Sequence, residues 1–542
     1  MAAVKEPQAQ AVPARFPWIN KTPTWVTILV IGGAMPLVYW LGLALPFPLA
    51  FGLANPRATW VKAGEGSLLT LAVQMGVYLL LTLLYVAALR FFATKAAALA
   101  RRTQIGWILL IWALCSCTLL FVSPNGESHD IYDYLFRGRM MDRFGVSPLA
   151  VTPNAYPNAP YYRYVAWKKH VDTYGPLWEY VSAATAKAVR ITLQWTGNFA
   201  PQLNCPGSPA GCQTLAGYIT GYRLLAILLT GLSALLLQAI VRASDPAAGP
   251  LALVIWLWNP LLLVSTAVGA HNDAVMLLFF FVTFWCWQRG RWLLGWVAFG
   301  LATQVKLTAL LLTPVLGLWL VRKIGWIRAL AVSLGAAASL VGISWLLYEP
   351  LGGWATLPRM LHERQLFVAH SWAQLLYFWL YKWSGWPYAL VQPLLVAWPT
   401  WLFLPAAALM LVRAFLSTPL TADTNQRDLY RSCALLTLLY LLVGSFWFQA
   451  WYVVWVLAPA ALWVAGRFPA QGLPWLCWGA LCSNVVYDHF TQLPIAAVPE
   501  AHLYRIGVTV LVVLTIWLPL FVTQGMGMRK SVIPREIERY RD

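Results

Sequence analysis

Charged residues are scarce in this chain of 542 residues: Asp, Glu, Lys and Arg together make up only 11% of it. Hydrophobic residues make up 60%, and the mean hydropathy is +0.63. This composition excludes a soluble protein of this size and predicts an all-α polytopic membrane protein. The net charge of +19 could indicate nucleic acid. The cations lie in short loops at the ends of apolar runs, however, so we expect no nucleic-acid partner.

Motifs for metals and nucleotides are also missing from the sequence. It has eight Cys, but no CxxC pair and no His and Cys spacing suited to zinc, so we predict no metal site of that kind. No Gly-rich phosphate loop is present, which argues against a bound nucleotide. Cys205 and Cys212 flank a short turn, where they could form a disulfide in an oxidising compartment or remain free thiols.

Apolar runs of about 20 residues recur along the chain, and we interpret about fourteen of them as membrane spans. An even count places both termini on one side. That side carries more than half of the Lys and Arg residues and fewer than half of the acids, so the positive-inside rule makes it cytoplasmic. The predicted spans are 25–45, 69–92, 105–122, 215–241, 249–267, 272–288, 293–304, 306–321, 327–347, 388–412, 430–446, 452–466, 472–488 and 506–523.

Two segments on the predicted outer side, 123–216 and 349–388, are too long to be simple connections. The first contains a helix-forming stretch at 176–195. Lys187 and Arg190 lie inside this stretch, and inserting it as a span would also invert every later loop. We therefore predict a helix that lies along the outer interface of the membrane.

The densest charge in the sequence follows directly after the third apolar run, at residues 127–145. Ionisable groups near lipid are costly and often mark functional sites in membrane proteins. Asp130 is predicted to lie at the outer membrane surface, where its carboxylate could accept a proton from a hydroxyl. Asp133 and Glu127 are further acid candidates. The alternative is a solvated first helical turn, in which acids favour the helix dipole.

Polar residues recur at other predicted outer ends of spans. The segment 269–273 opens the sixth span either as a helix cap or as a set of ligand contacts. The segment 449–452 lies at a turn between two spans, where an aromatic belt would account for its Trp and Tyr but not for its Gln. Arg223 and Lys306 lie at outer span ends, where they could snorkel or bind an anionic head group.

In chain order, these motifs resemble those of the GT-C class of membrane glycosyltransferases. The closer resemblance is to the bacterial polyprenol-phosphate-mannose-dependent alpha-(1→6)-mannosyltransferase family. That family has Asp-x-Tyr-x-Tyr with a following Gly, then Gly-x-x-Pro, Tyr-Gly-Pro-Leu, Gly-x-His-Asn-Asp, a Lys near the end of a short span, and Gln-x-Trp-Tyr. The matching residues are Asp130–Tyr134 with Gly138, Gly145–Pro148, Tyr174–Leu177, Gly269–Asp273, Lys306 and Gln449–Tyr452.

The resemblance implies a GT-C-like bundle of transmembrane helices that transfers a sugar, with mannose the first expectation. The donor would be a polyprenyl-phosphate sugar and the acceptor a hydroxyl of a glycolipid or glycan, at the outer face of the plasma membrane. Asp130 would be the general base of an inverting displacement, with Asp133 or Glu127 as a second acid. The implied donor-phosphate ligands are Arg139, Arg223 and Lys306, and the implied substrate contacts are Tyr132, Tyr134, Tyr174, His271, Asn272, Asp273, Gln449, Trp451 and Tyr452.

The same resemblance suggests a division of the chain into three parts. The first two spans look like an addition before the shared core. The acids could hold a divalent cation, although the resemblance requires no cofactor. The expected parts are an N-terminal tail with two additional spans (1–104), a catalytic module that includes both outer segments (105–530) and a cytoplasmic tail (531–542).

Other functions remain open from the sequence. An arabinosyl or glucosyl transferase that uses a polyprenyl-phosphate donor would have the same pattern. A transporter or lipid flippase is the alternative from another class, but transporters place polar residues near the bilayer centre, and these spans are nearly free of acids there. A non-catalytic assembly or receptor protein would depend on no single carboxylate.

Overall fold

The computed structural model is helical throughout the residues it describes, with isolated β-bridges and no β-strand among them. It is therefore the all-α polytopic protein that the composition predicts. The predicted cytoplasmic tail, 531–542, lies outside the described residues. The structure describes residues 24–56, 59–60, 67–96, 99–365, 368–417, 426–464, 468, 471–498 and 501–527.

The first part of the chain contributes three long helices and the short α2, then the outer segment with its own helices, and then α7 to α9. The α-helices up to residue 267 are α1 (Thr24–Tyr39), α2 (Leu49–Ala54), α3 (Leu68–Thr94), α4 (Arg101–Leu119), α5 (Asp130–Phe144), α6 (Pro176–Trp195), α7 (Pro209–Ser244), α8 (Gly249–Leu257) and α9 (Pro260–Ala267).

The second part contributes further helices, several of which are short. They are α10 (Asp273–Gln288), α11 (Trp292–Thr303), α12 (Thr313–Ile324), α13 (Trp326–Tyr348), α14 (Thr356–Gln365), α15 (Trp372–Tyr377), α16 (Tyr388–Ser417), α17 (Gln426–Leu439), α18 (Val454–Leu462), α19 (Leu473–Thr491) and α20 (His502–Gly527). The buried core joins residues of both parts.

Within the described residues, eight helices are long and apolar enough to cross a membrane, and a ninth span results if the bent pair α8 and α9 counts as one. The predicted count of fourteen is not confirmed. Three predicted spans correspond to shorter apolar helical stretches, at Asp273–Gln288, Trp292–Thr303 and Ala450–Leu462, and a fourth is broken by a polar residue. Asn259 separates α8 from α9, and its side-chain oxygen accepts hydrogen bonds from the first backbone N–H groups of α9. Lys306 follows α11 and Gln449 precedes α18 at turns between predicted spans, and neither side chain caps the helix that follows it.

The outer segment 123–216 folds as two helices joined by a long loop. Helix α6 spans Pro176–Trp195, as predicted, with Pro at its first position, and it is not among the candidate membrane spans. Gly138 of α5 packs against Ser182 and Tyr222, where a Cβ would overlap their side chains, so α5 lies close to α6 and α7. Cys205 and Cys212 are bonded as a disulfide just before and at the start of α7.

The chain after α1 braces the loop that leads into α5. Pro48 pairs with Val122 in an isolated β-bridge. The backbone N–H of Ser123 donates to Phe47 at 2.8 Å, and the Trp60 indole donates to the Ser123 carbonyl at 3.1 Å. The expected boundary after residue 104 therefore separates two parts that pack closely, and the division itself remains a prediction.

Asn125 extends the same brace into α5. Its side-chain nitrogen donates to the Asn55 carbonyl at 2.8 Å, and its side-chain oxygen accepts from the Tyr132 hydroxyl at 2.8 Å. Gly126 follows, and a Cβ at this position would overlap the Trp60 ring. The N-terminal segment thus sets the position of the first residues of α5.

We predict that Gly126→Ala destabilises the protein because the added methyl group would displace the Trp60 ring. Overpacking of this kind costs about 1–3 kcal/mol. The thermal unfolding midpoint of the purified protein in detergent should fall. The matched control is Gly76→Ala in α3, where nothing lies within 4 Å of the added Cβ. That control should leave the midpoint unchanged or raise it, and equal midpoints for both variants would contradict the bracing role of Trp60.

Candidate active site

A cavity of about 400 Å³ lies between the two outer segments and the ends of the helices around them. Asp130 on α5 and Arg364 on α14 both line it. Eight of the residues predicted from the sequence line this cavity. They are Glu127, Asp130, Asp133, Tyr134, Tyr174, Gln449, Trp451 and Tyr452.

Asp130 is the first residue of α5 and is half-buried in the cavity wall. Its backbone N–H donates to the Ser128 hydroxyl at 3.0 Å, and its Oδ1 accepts from the Trp167 indole N–H at 3.4 Å. The N-terminus of a helix favours an anion. No cation lies within ion-pair distance of Asp130 among the described residues. Its carboxylate therefore faces the cavity with one weak donor and without a neutralising partner.

Asp133, one turn later, is buried and occupied by backbone groups. It accepts hydrogen bonds from the N–H groups of Ala166 and Trp167 at 3.0 and 3.1 Å. Burial raises the pKa of Asp133 to about 7, while Arg137 and the two backbone donors act in the opposite direction. Its contacts suit an anchor for the loop that carries Trp167, and its predicted role as a second acid stays untested.

Glu127 pairs with His271 at the edge of the cavity. Its carboxylate lies 2.9 and 3.1 Å from Nε2 of His271, whose ring stacks on Trp451 with centroids 3.8 Å apart. Nδ1 of His271 lies 3.3 Å from the Tyr134 hydroxyl. Burial raises the pKa of Glu127, and His271 opposes this rise. The Gly-x-His-Asn-Asp motif thus holds Glu127, and a Cβ at Gly269 would overlap its carboxylate.

Lys306 lies behind the cavity wall, not in it. Its Nζ is 2.9 Å from both carboxylate oxygens of Asp273, which also accepts from the Trp455 indole. The rings of Tyr174, Tyr452 and Trp455 surround the ammonium, with centroids 5.1 to 5.2 Å away. Lys306 is therefore neutralised by Asp273 and supports two tyrosines that do line the cavity.

The Tyr-Gly-Pro-Leu motif docks on the chain break beside Lys306. The Gly175 N–H donates to the Val305 carbonyl at 2.9 Å, and a Cβ on Gly175 would overlap the Gln304 backbone. This close approach places the Tyr174 ring between Lys306 and the cavity. Asn272, next to Asp273, is fully buried and makes no side-chain cap bond to α10.

The two predicted phosphate-binding arginines also point away from the cavity. Arg139 donates to the Pro160 carbonyl at 2.7 Å and lies over the Tyr161 ring. Arg223 donates to the carbonyls of Val268 and Leu120 at 2.9 and 2.8 Å. Both guanidinium groups join the outer segment or α7 to neighbouring backbone. Tyr132 is likewise buried outside the cavity lining.

Sequence reasoning did not single out Arg364, although it identified the outer segment 349–388 that contains it. Arg364 is half-buried in the cavity wall, and its guanidinium lies against the Tyr452 hydroxyl. Within the described part of the chain, no carboxylate lies within 4.0 Å of it. Helix α14 contains three other ionisable residues, Arg359, His362 and Glu363, and nothing in its sequence indicated that Arg364 is the one that lines the cavity.

Trp167 was also missed, because it lies in a loop without a recognisable motif. The same loop contacts the second outer segment, where Nδ1 of His170 lies 2.7 Å from the Glu363 carboxylate on α14. This contact joins the two outer segments at the cavity. No group of three or more His, Cys, Asp or Glu placed to hold a metal ion occurs among the described residues.

Comparison with known proteins connects this geometry to a family. A family model described as alpha-(1→6)-mannopyranosyltransferase, N-terminal domain, matches residues 44–322, which is more than half of the chain. That range contains Asp130, Tyr174 and Lys306. The chain belongs to this mannopyranosyltransferase family. A second model, described as ALG3 protein, matches residues 267–384.

A curated relative supports the family assignment. The chain is 27% identical over 282 residues to alpha-(1→6)-mannopyranosyltransferase A of Mycobacterium tuberculosis (strain ATCC 25618 / H37Rv). The aligned region covers 51% of this chain and 47% of the relative, so the match spans about half the length of each protein. The family assignment agrees with the GT-C-like resemblance of the sequence motifs.

We predict that Asp133 makes stability depend on pH. Its pKa in the folded protein, about 7, lies above that of an ordinary carboxyl, near 3.9. The folded state thus binds this proton more tightly, and the resulting stability is complete below about pH 4 and lost as the pH rises through about 7. Thermal unfolding midpoints measured between pH 4.5 and 8.5 should show a shallower decline for Asp133→Asn than for the wild type.

The control for that experiment is Asp245→Asn, which changes a half-exposed carboxyl in the loop after α7. This control should keep the wild-type slope. A wild-type slope for Asp133→Asn as well would show that another group carries the pH dependence.

Proposed function

We propose that the protein transfers mannose from a polyprenyl-phosphate donor to a hydroxyl group of a glycolipid or glycan. The observation that carries the proposal is an uncompensated carboxylate, Asp130, facing the same cavity as an uncompensated guanidinium, Arg364. Membership of the mannopyranosyltransferase family supports the reaction class. The two charges match the two needs of the reaction, a proton acceptor and a group that stabilises a leaving phosphate.

Asp130 acts as the general base in this proposal. The acceptor oxygen forms a bond to the anomeric carbon as the bond from that carbon to the phosphate oxygen breaks, which inverts the anomeric configuration. The acceptor proton passes to Asp130, and the polyprenyl phosphate leaves with the bonding electron pair. General-base assistance of this kind is worth about 10²–10⁴-fold in rate.

Arg364 binds the donor phosphate in this proposal, in place of the three cations predicted from the sequence. A guanidinium can offer two parallel N–H groups to a phosphate and stabilises charge that develops on the leaving oxygen. Tyr174 lines the same cavity as Asp130 and Arg364. Tyr174 and the aromatic residues beside it then form the wall against which the transferred sugar lies.

The proposed topology places this cavity on the extracytoplasmic face of the plasma membrane. The outer segments 123–216 and 349–388 build the cavity, and the charge asymmetry along the sequence supports their location outside. At that face the donor is a lipid-linked sugar, because nucleotide sugars are cytoplasmic substrates. The proposed catalytic module is 105–530, with residues of the N-terminal segment, such as Thr59, completing the cavity wall.

We expect Asp130→Asn to lower kcat for mannosyl transfer by at least about 100-fold, because the amide cannot accept the proton. The assay uses purified protein, synthetic polyprenyl-phosphate mannose and a mannoside acceptor, with Mg²⁺ or EDTA in parallel reactions. Unchanged thermal stability of the variant shows that folding is intact. Turnover within a few-fold of the wild type would overturn the assignment of the base.

The same assay separates the alternative substrates. Parallel reactions with polyprenyl-phosphate arabinose and glucose test the sugar. Transfer from one of these donors, without transfer from the mannose donor, would replace mannose in the proposal while leaving the chemistry of Asp130 in place.

We expect Arg364→Ala to raise KM for the lipid donor by about 10-fold or more, since a charge-assisted contact is worth about 1.5–3 kcal/mol. Arg364→Lys should lie between this variant and the wild type because Lys keeps the charge but not the planar pair of donors. The matched control is Arg359→Ala on the same helix, whose guanidinium donates to the Ala150 carbonyl and does not line the cavity. Equal donor KM values for both Ala variants would exclude Arg364 as the phosphate ligand.

A further inference from the structure

The loop 165–172, here called the Trp167 loop, is attached to α5 by two side chains one helical turn apart. Asp133 accepts both backbone N–H groups of Ala166 and Trp167. Arg137 donates from Nη2 to the carbonyls of Trp167 and His170 at 3.2 and 3.0 Å. Asp133 and Arg137, four residues apart on one helix, thus bind the N–H groups and the carbonyls of the same loop.

Further contacts hold the end of the Trp167 loop. Asp172 lies 3.5 Å from Nε of Arg137, and its backbone N–H donates to the Pro148 carbonyl at 2.9 Å. Asp172 also accepts from the Tyr174 N–H at 3.1 Å. Asp133, Arg137 and Asp172 are all buried. Burying three ionisable side chains is costly. All three are used here to hold one stretch of backbone.

What the loop presents to the cavity is the indole of Trp167. Its Nε1 is 3.4 Å from Oδ1 of Asp130, the carboxylate proposed to be the base. The indole ring packs edge-on against Trp447, with centroids 5.9 Å apart and planes at 65°, and against His170. Oδ2 of Asp130 accepts no hydrogen bond within the described part of the chain. One carboxylate oxygen is therefore oriented by the loop, and the other is open to the cavity.

We propose that Trp167 is a positioning residue that orients Asp130 through its indole N–H, so that Oδ2 is left to receive the acceptor proton. The proposal rests on the proposed function, because it assigns a role toward the same base. Asp133 and Arg137 act through Trp167: they fix the loop, and the loop fixes the carboxylate. This gives Asp133 and Arg137 a structural role in the charged segment 127–145, and neither residue takes part in the chemical step.

If Trp167 served only as an aromatic ring in the cavity wall, its N–H would not be needed. A positioning role requires that N–H. Trp167→Phe keeps an aromatic ring and removes the donor. We expect kcat to fall on the order of tenfold with KM for the lipid donor within about twofold of the wild type. Loss of a donor to the charged form of a carboxylate also favours its protonation, so the acidic limb of the pH–rate profile should move to higher pH.

The pH profile is informative only if other groups near Asp130 are unchanged, and Trp167→Phe alters none of them. Ionisable side chains that interact with Asp130 from its own segment and from the elements packed around it are Glu127, His129, Asp133, Tyr134, Tyr174 and Lys306. The matched control is Trp447→Phe, which makes the same change to the neighbouring ring. Trp447→Phe should leave the acidic limb where the wild type has it.

A double-variant cycle tests the route from Asp133 through the loop. If Asp133 acts through Trp167, then Asp133→Ala with Trp167→Phe should lower kcat no further than the more damaging single variant. Multiplicative losses in the double variant would show that Asp133 acts independently and would overturn that part of the proposal.

The outcomes separate this proposal from the proposed function. Absence of sugar transfer by the wild-type protein would remove the proposed function itself. Full activity of Asp130→Asn would remove only the assignment of Asp130 as the base, and with it the positioning role of Trp167. An active wild type and an inactive Asp130→Asn, with Trp167→Phe showing an unshifted acidic limb and a wild-type kcat, would overturn the positioning role alone. A rise in KM without any change in kcat would instead make Trp167 a residue that only contacts the substrate.

Discussion

Compensation of buried charge is the constraint on which this structure depends. Ionisable groups are costly inside a protein that lies in a membrane, and they are retained only when a partner or a reaction requires them. Several buried charges of the outer region have a partner of opposite charge. Asp130 and Arg364 line the cavity without one in the part of the chain that the structure describes. The compensated pairs include Arg137 with Asp172, Lys306 with Asp273, His271 with Glu127, and Arg190 with Asp142.

Hydropathy predicted where most of the helices lie, because each apolar run must hydrogen-bond its own backbone within lipid. Helix α6 has the bounds that the sequence predicted. The number of spans could not be predicted in the same way. A run that contains Asn259 still reads as continuous in composition, whereas the amide of that residue caps a new helix and bends the chain by 54°.

For the candidate site, the sequence predicted which motifs come together but not which cation lines the cavity. Motif residues separated by more than 300 positions, from Asp130 to Tyr452, do meet at one cavity, and their order along the chain was sufficient to group them. Which cation faces that cavity was not predictable. Arg139, Arg223 and Lys306 have the expected charge and location, but each is bound by carbonyls or a carboxylate that only the fold brings near. The sequence of α14 contains no pattern that predicts which side of the helix faces the cavity, so the position of Arg364 could not be predicted.

The N-terminal segment is joined to this chemistry more closely than its place in the chain implies. Trp60 fills the space beside Gly126, Asn55 holds Asn125, and Asn125 in turn holds Tyr132 on the first turn of α5. A helix that begins with the proposed base can keep that carboxylate in place only if its first turn is fixed from both sides. The Trp167 loop fixes it from the cavity side, and the N-terminal brace fixes it from the other. Segments before and after α5 in the sequence therefore hold its first turn, and the chain between α1 and α3 packs directly against the loop that leads into α5.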